Sequence, residues 1–190
     1  MPDHATHYLA FPYAFREIRC QIICLEGFPI HLTFSPERHE MAKQWLHTRL
    51  GMADMPAPTC SPCFAELLGE FFNGQRRKFP PLPRSPFVEK GTMFQKSVWE
   101  RIAEIPYGER RTYKELAQAL GNSGAARAVG QACNANPLAL IVPCHRVTGS
   151  SGLGGFAGGQ AMKKALLLLE RETLQRTHTI SLSTSATASS

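Results

Sequence analysis

Four prolines, Pro80, Pro81, Pro83 and Pro86, crowd the stretch between Phe79 and Phe87. Each fixes its own φ and removes a backbone donor, so neither a helix nor an interior strand can run through them. The 190-residue chain is therefore expected to fold as two parts joined by an extended surface segment. That length is enough to give each part a core. The reading is an α/β protein of two domains: residues 1–88 with the proline-rich linker at their end, then residues 89–175. The Ser/Thr-rich residues 176–190 read as a disordered tail.

In the first part, "REIRCQIICLEGFPIHLTF" reads as two strands around a turn at Glu26-Gly27. "SPERHEMAKQWLHTRLG" reads as a helix capped at Ser35, with Pro36 at its first position and Gly51 as its stop. "CFAELLGEFFNGQ" reads as a second helix. None of these elements carries obvious chemistry. Cys60 and Cys63 form "CSPC", with Cys20, Cys24 and His31 elsewhere in this half, but the spacings match no strong zinc pattern and no metal is expected. No apolar run approaches the ~18 residues of a membrane span and no signal-peptide core is visible. A cytoplasmic protein is expected, or a nuclear one in a eukaryote.

The second part changes character. Residues 1–88 carry 9 Lys/Arg against 8 Asp/Glu, and residues 89–175 carry 11 against 7, so the net +1 becomes +4. Surplus basic charge suits a polyanionic partner. "GTMFQKSVWERIAEIPYG" places Phe94, Val98, Ile102 and Ile105 on one helical face behind a cap near Thr92. "RTYKELAQALG" follows with Tyr113, Leu116, Ala117 and Leu120 on one side. After the turn "GNSG" comes "AARAVGQACNAN", giving a helix-turn-helix pattern. That last helix is built of Ala125, Ala126, Ala128, Gly130 and Ala132, with Arg127 its one long side chain. A major-groove reader needs several polar side chains for base edges. This helix suits close packing, or a minor-groove approach without sequence preference.

The chemistry-bearing motif is "PCHRV" at 143–147, between the apolar run "PLALIV" and the glycine-rich run "TGSSGLGGFAGG". Cys144 reacts only as a thiolate, so something must favour its deprotonation. His145 is its neighbour, but side chains at i and i+1 of an extended segment diverge, and a bridging water would be needed. A carboxylate would orient the imidazole. Asn136, before Pro137, can tie down the loop backbone through its amide. No GxGxxG or P-loop spacing occurs, so no nucleotide cofactor is indicated.

Together, "GTMFQKSVW", "IPYGERRTYKELA", "AARAVGQA", "NANPLALIVPCHRV" and "GGFAGG" resemble the O6-alkylguanine-DNA alkyltransferases, from about Gly91 to Glu170. The resemblance implies a ribonuclease H-like N-terminal domain and a mostly α, winged helix-turn-helix-like C-terminal domain. It implies transfer of an alkyl group from O6-alkylguanine, with O4-alkylthymine as a second candidate substrate, in double-stranded DNA to the protein's own cysteine, without cofactor and once per monomeric molecule. Cys144 would be the acceptor, with His145 and Glu170 as its relay and Asn136 supporting the turn. Tyr113 would crowd the 3′ phosphate and hydrogen-bond the departing base. Arg127 would fill the base stack, from a helix whose Ala125, Ala126, Ala128 and Gly130 approach the DNA. Val142, Val147, Gly154, Gly155, Phe156 and Ala157 would form the guanine pocket.

This chain departs from the family in having Phe156 where tyrosine is usual, Ala157 where some members have serine, and Ala165 where an aromatic residue is common. Some members hold zinc in the N-terminal domain, but here the nearby histidine is displaced to His31. Three rival readings are a non-catalytic binder of alkylated DNA, a cysteine hydrolase and a helix-turn-helix regulator. The intact Cys144 opposes the first. The small-residue helix opposes the last, and a helix-turn-helix beside the cysteine would be unexplained in a hydrolase.

Overall fold

The structure is a computed structural model that describes residues 8–13, 16–25, 28–50, 62–80 and 85–187. The expected turn at Glu26-Gly27, the Gly51 stop, Cys60, the middle of the proline segment and the last three residues lie outside that range, as does the side chain of Cys63.

Three antiparallel strands open the fold, β1 (Tyr8–Tyr13), β2 (Arg16–Leu25) and β3 (Phe28–Thr33), in the order β1-β2-β3. β1 was not anticipated from the sequence. The central strand β2 is apolar on both faces because both are covered. Cys20, Ile22 and Cys24 join one cluster with Leu68, Phe71 and Phe72 of α2 (Pro62–Phe72), whereas Ile23 joins another with Ala42 and Leu46 of α1 (Pro36–Leu50). Alternation along a strand sends neighbours to opposite faces, which is why "QIIC" needs two partners. The cap at Ser35 is in place: its Oγ accepts from Arg38 N at 3.4 Å.

The end of the proline segment, from Ser85 on, docks back on this layer. Ser85 Oγ donates to Ile30 O at 2.7 Å, and Phe87 of the short α3 (Pro86–Glu89) lies 5.0 Å from the Trp45 ring.

Next come α4 (Met93–Ala103), the two-residue β4 (Arg111–Thr112) and α5 (Tyr113–Ala119). Thr92 and Thr112 each close a reciprocal capping box, with Gln95 and Glu115 respectively. These boxes fix both helix starts and the turn between them. Val98, Ile102 and Ile105 are buried as the helical spacing indicated, but Phe94, expected on the same face, is exposed. A 3₁₀ turn at Ser123–Ala125 leads to α6 (Ala126–Asn134), held to α4 where Trp99 Nε1 donates to Ala132 O at 2.8 Å. β5 (Val147–Thr148) pairs in parallel with β4.

α7 spans Gly159–Thr187 and so runs through residues 176–187, where low complexity had suggested a disordered tail. Its first half is anchored by the buried Leu166, Leu167 and Leu169. Once a helix is nucleated, each added residue needs only one further bond, so weak sequence can propagate it.

The apolar run "PLALIV" forms no strand. It makes two isolated bridges, Leu32 with Leu138 and Ala139 with Val142. Leu140 there is the one described non-glycine residue with positive φ, 71°. The first bridge matters most for the site. Leu32 N donates to Pro137 O at 2.8 Å and Ala139 N donates to Leu32 O at 3.0 Å, so β3 grips the segment leading to Cys144. The core crosses the proline break too, since Ala139, Leu140, Leu166 and Leu169 pack with Cys20, Ile22 and Phe71. Among the described residues no helix is long and apolar enough to cross a membrane.

Candidate active site around Cys144

Cys144, His145 and Arg146 form one turn of 3₁₀ helix rather than the extended break expected from sequence. All three are buried. Cys144 N donates to Val142 O at 2.8 Å, and Asn136 binds the same turn from the side. Its Nδ2 donates to Val142 O at 2.8 Å and to Cys144 Sγ at 3.2 Å, while its Oδ1 accepts from Leu138 N at 3.0 Å. One amide side chain therefore satisfies the loop backbone and touches the sulfur.

His145 Nε2 lies 2.8 Å from Glu170 Oε1, and Nδ1 makes no hydrogen bond within the protein. Glu170, the relay carboxylate that the family resemblance implies, is the one that reaches the imidazole; Glu172 faces Arg176 instead. Glu170 also has a partner the sequence reading missed. Arg146 Nε donates to both its oxygens at 3.0 and 3.2 Å, and Arg146 Nη2 donates at 2.9 Å. Gly108 N adds a 2.8 Å bond to Oε2, and Arg146 Nη1 donates to Ile105 O at 2.7 Å. Burial alone would raise the Glu170 pKa, but the His145 and Arg146 bonds outweigh it and hold the carboxyl below its ordinary range. Burial keeps His145 below its ordinary value despite Glu170, with Arg146 and Lys163 also acting against its protonation.

Burial pushes the Cys144 thiol up, and four groups oppose it: the Asn136 amide, Lys163, the Cys144 backbone N–H and Arg38. Lys163 was not singled out from sequence. It is fully buried, and Nζ donates to Val147 O at 2.5 Å and to Gly155 O at 3.1 Å. Burial lowers its pKa, which negative charge at Cys144 or Cys133 would restore. Arg38 of α1 donates through Nη1 to Asn134 O at the end of α6. Both cations sit far from Cys144 in sequence, so no local signal could have disclosed them.

A cavity of about 420 Å³ opens beside the sulfur. Cys144, Tyr113, Arg127 and Phe156 line it, with Ala126, Gly130 and Gly155 between them. Cys133, Gln131 and Asn134, not named beforehand, line it too. Of the other residues expected there, Val147 is fully buried in the core. Val142 is half-buried and serves as the backbone acceptor for Asn136, and Gly154 and Ala157 flank the wall without lining it. Ala125 and Ala128 are half-buried beside the lining part of α6, and Arg127 is exposed at the rim.

Tyr113 Oη donates to Gly155 O at 3.4 Å. Its pKa is pushed up to about 12 by burial and by the thiols of Cys133 and Cys144, so the hydroxyl keeps its proton. Gly154 has φ +70°, and a Cβ there would meet Tyr113 Oη at 2.7 Å, so this position requires glycine on both counts.

The described residues contain no group of three His, Cys, Asp or Glu placed to hold a metal, and the cations Arg38 and Lys90 act on His31.

The family model of the 6-O-methylguanine DNA methyltransferase DNA-binding domain matches residues 93–172. A methylated-DNA–protein-cysteine methyltransferase of Methanosarcina barkeri is 51% identical over 112 residues, covering 58% of this chain and 68% of the relative. One from Mycobacterium tuberculosis is 57% identical over 120 residues, covering 61% and 68%. The crystal structure of Mycobacterium tuberculosis OGT in complex with DNA aligns with a TM-score of 0.68 at 33% identity, over 88% of this chain and 94% of that one. The O6-methylguanine-DNA methyltransferase of Pyrococcus kodakaraensis aligns at 0.59 and 29% identity, over 86% and 97%.

Proposed function

This chain belongs to the methylated-DNA–protein-cysteine methyltransferase family, and from that premise we propose that Cys144 is the atom that receives the alkyl group. The protein repairs alkylated DNA by direct transfer from the O6 of guanine to itself. The observation that carries the assignment is Asn136 Nδ2 at 3.2 Å from a sulfur that faces a cavity.

The alkylated O6 is buried in a duplex, so the nucleotide must leave the stack, at a cost of a few kcal/mol that a weakened pair reduces. Arg127 at the rim fills the gap it leaves, and the small residues of α6 let the helix approach the minor groove. Tyr113 crowds the neighbouring phosphate. The purine enters between Tyr113 and Phe156, with backbone groups of residues 154–157 reading its edge. His145 takes the Cys144 proton through a water bridging to Nδ1, and Glu170 stabilises the resulting imidazolium. The thiolate attacks the alkyl carbon in line; the carbon–sulfur bond forms as the carbon–oxygen bond breaks. Tyr113, protonated at neutral pH, donates a hydrogen bond to the departing guanine anion, which takes up a proton in turn from the His145 relay or water. The product thioether is not hydrolysed under mild conditions, so each molecule reacts once.

The finer architecture we infer is a ribonuclease H-like N-terminal domain and a winged helix-turn-helix-like C-terminal domain, acting as a monomer. The three-stranded sheet with helices on both faces and the α5–α6 pair support it. A non-catalytic binder of alkylated DNA is not favoured, because the cysteine and its hydrogen-bonded surroundings are intact.

Incubation with an O6-methylguanine oligonucleotide is expected to add one methyl mass to the peptide bearing Cys144, with one equivalent consumed. An unmodified peptide, or turnover beyond one equivalent, would sink the assignment.

A further inference from the structure

Phe156 forms the aromatic wall of the cavity, yet what holds it there comes from the other end of the chain. Phe34, between β3 and α1, has its ring 5.8 Å from the Phe156 ring. The Phe156 ring in turn lies 6.5 Å from that of His145, edge to face. Phe34 also presses on the loop backbone. A Cβ on Gly158 would lie 2.6 Å from Phe34 Cβ and 3.2 Å from Phe156 Cε1, so only glycine lets the loop come this close. Met162 closes the same contact from α7, its Cγ 3.3 Å from that position. Phe34 does not itself line the cavity. Its backbone is fixed, because Leu32 is bonded on both sides to Pro137 and Ala139 and Ser35 caps α1.

We propose that Phe34 is a positioning residue that fixes the Phe156 wall against the acceptor and so sets how tightly the alkylated base is held before transfer. The proposal rests on the reading of Cys144 as alkyl acceptor. A purine or an O6-benzyl ring entering the cavity presses on Phe156. With Phe34 behind it, the wall cannot retreat into the space between β3 and α7, and the base stays clamped beside the sulfur. Phe34 touches neither sulfur nor base, so its effect falls on the binding step and leaves the bond-making step intact.

The test is single-turnover reaction of the full chain with free O6-benzylguanine, fitted for half-saturating concentration and limiting rate, with Cys144 titrated to give the reactive fraction. An aromatic contact of this kind converts to about a two- to tenfold change in binding. Phe34→Ala is expected to raise the half-saturating concentration by that factor with little change in limiting rate. Phe34→Tyr keeps the ring and is expected to keep the wild-type value. Gly158→Ala, which wedges the loop away from Phe34, is expected to reproduce the Phe34→Ala pattern. A general loss of stability would instead lower the reactive fraction and leave the half-saturating concentration alone. That outcome, or an unchanged half-saturating concentration in both variants, overturns the proposal. If wild-type Cys144 takes no benzyl group from alkylated DNA or free base, the acceptor reading fails and the proposal falls with it; a wild-type protein that reacts while Phe34→Ala and Gly158→Ala keep its half-saturating concentration overturns the role of Phe34 alone.

Discussion

Cys144 stands between burial, which favours the neutral thiol, and a small set of groups that favour the thiolate. Lys163 is the informative one, because its ammonium is fully buried and both of its hydrogen bonds go to uncharged carbonyls. Removing its charge should raise the Cys144 pKa. Since the reaction needs the thiolate, the rate–pH profile of Lys163→Met should move to higher pH. A shift of one unit corresponds to about 1.4 kcal/mol and about a tenfold loss at neutral pH. Stopped-flow reaction with O6-benzylguanine across pH measures it; an equal loss at every pH would mean mere disruption of the loop. Glu170 carries a different burden. Glu170→Gln leaves the Arg146 cation buried without its counter-charge, a change that typically costs about 3–5 kcal/mol. Urea unfolding should show a loss of that size, together with slower alkyl transfer.

At the scale of elements, α6 shows how composition anticipates geometry. Its small residues let Gly130 lie against the Tyr113 ring, where an added Cβ would come no closer than 3.8 Å, while Arg127 stays exposed at the rim. Arg127→Ala should therefore slow repair of duplex substrate far more than reaction with free O6-alkylguanine, because only the duplex has a gap to fill. Equal losses on the two substrates would remove Arg127 from the extrusion step. The helix start at Thr92 was legible because capping is local: a hydroxyl and a side chain three residues later decide it. The 3₁₀ turn at Cys144 was not legible. An apolar run ending in proline reads as a strand, and the Asn136 bonds that bend it into a turn join residues whose side-chain directions no sequence period encodes. The same limit hid Arg146, whose carboxylate partner lies 24 residues away.

Across the whole molecule, the proline break marked the change of character but not the path of the core. That path depends on Leu32 meeting Pro137 and Ala139, a pairing of segments about a hundred residues apart. The N-terminal layer is more than a support, since it grips the approach to Cys144 and presents Arg38 and Phe34 to the site. Its own stability should depend on pH through His31. This side chain is buried with both ring nitrogens unpartnered, beside Phe87 and His39. Burial, with the nearby His39, Arg38 and Lys90, lowers its pKa to about 3. Above the unfolded value, about 6.5, both states carry a neutral ring and His31 contributes no pH dependence. As pH falls below that value the unfolded chain takes up a proton the folded chain refuses. Stability is then lost at about 1.4 kcal/mol per pH unit until the folded pKa is reached. Carboxylates add their own acid dependence, so the measurement is a difference. The slope of unfolding free energy against pH between 6 and 4 should be shallower in His31→Leu than in wild type by about that amount. Parallel slopes would show that His31 protonates in the folded protein as readily as in the unfolded chain.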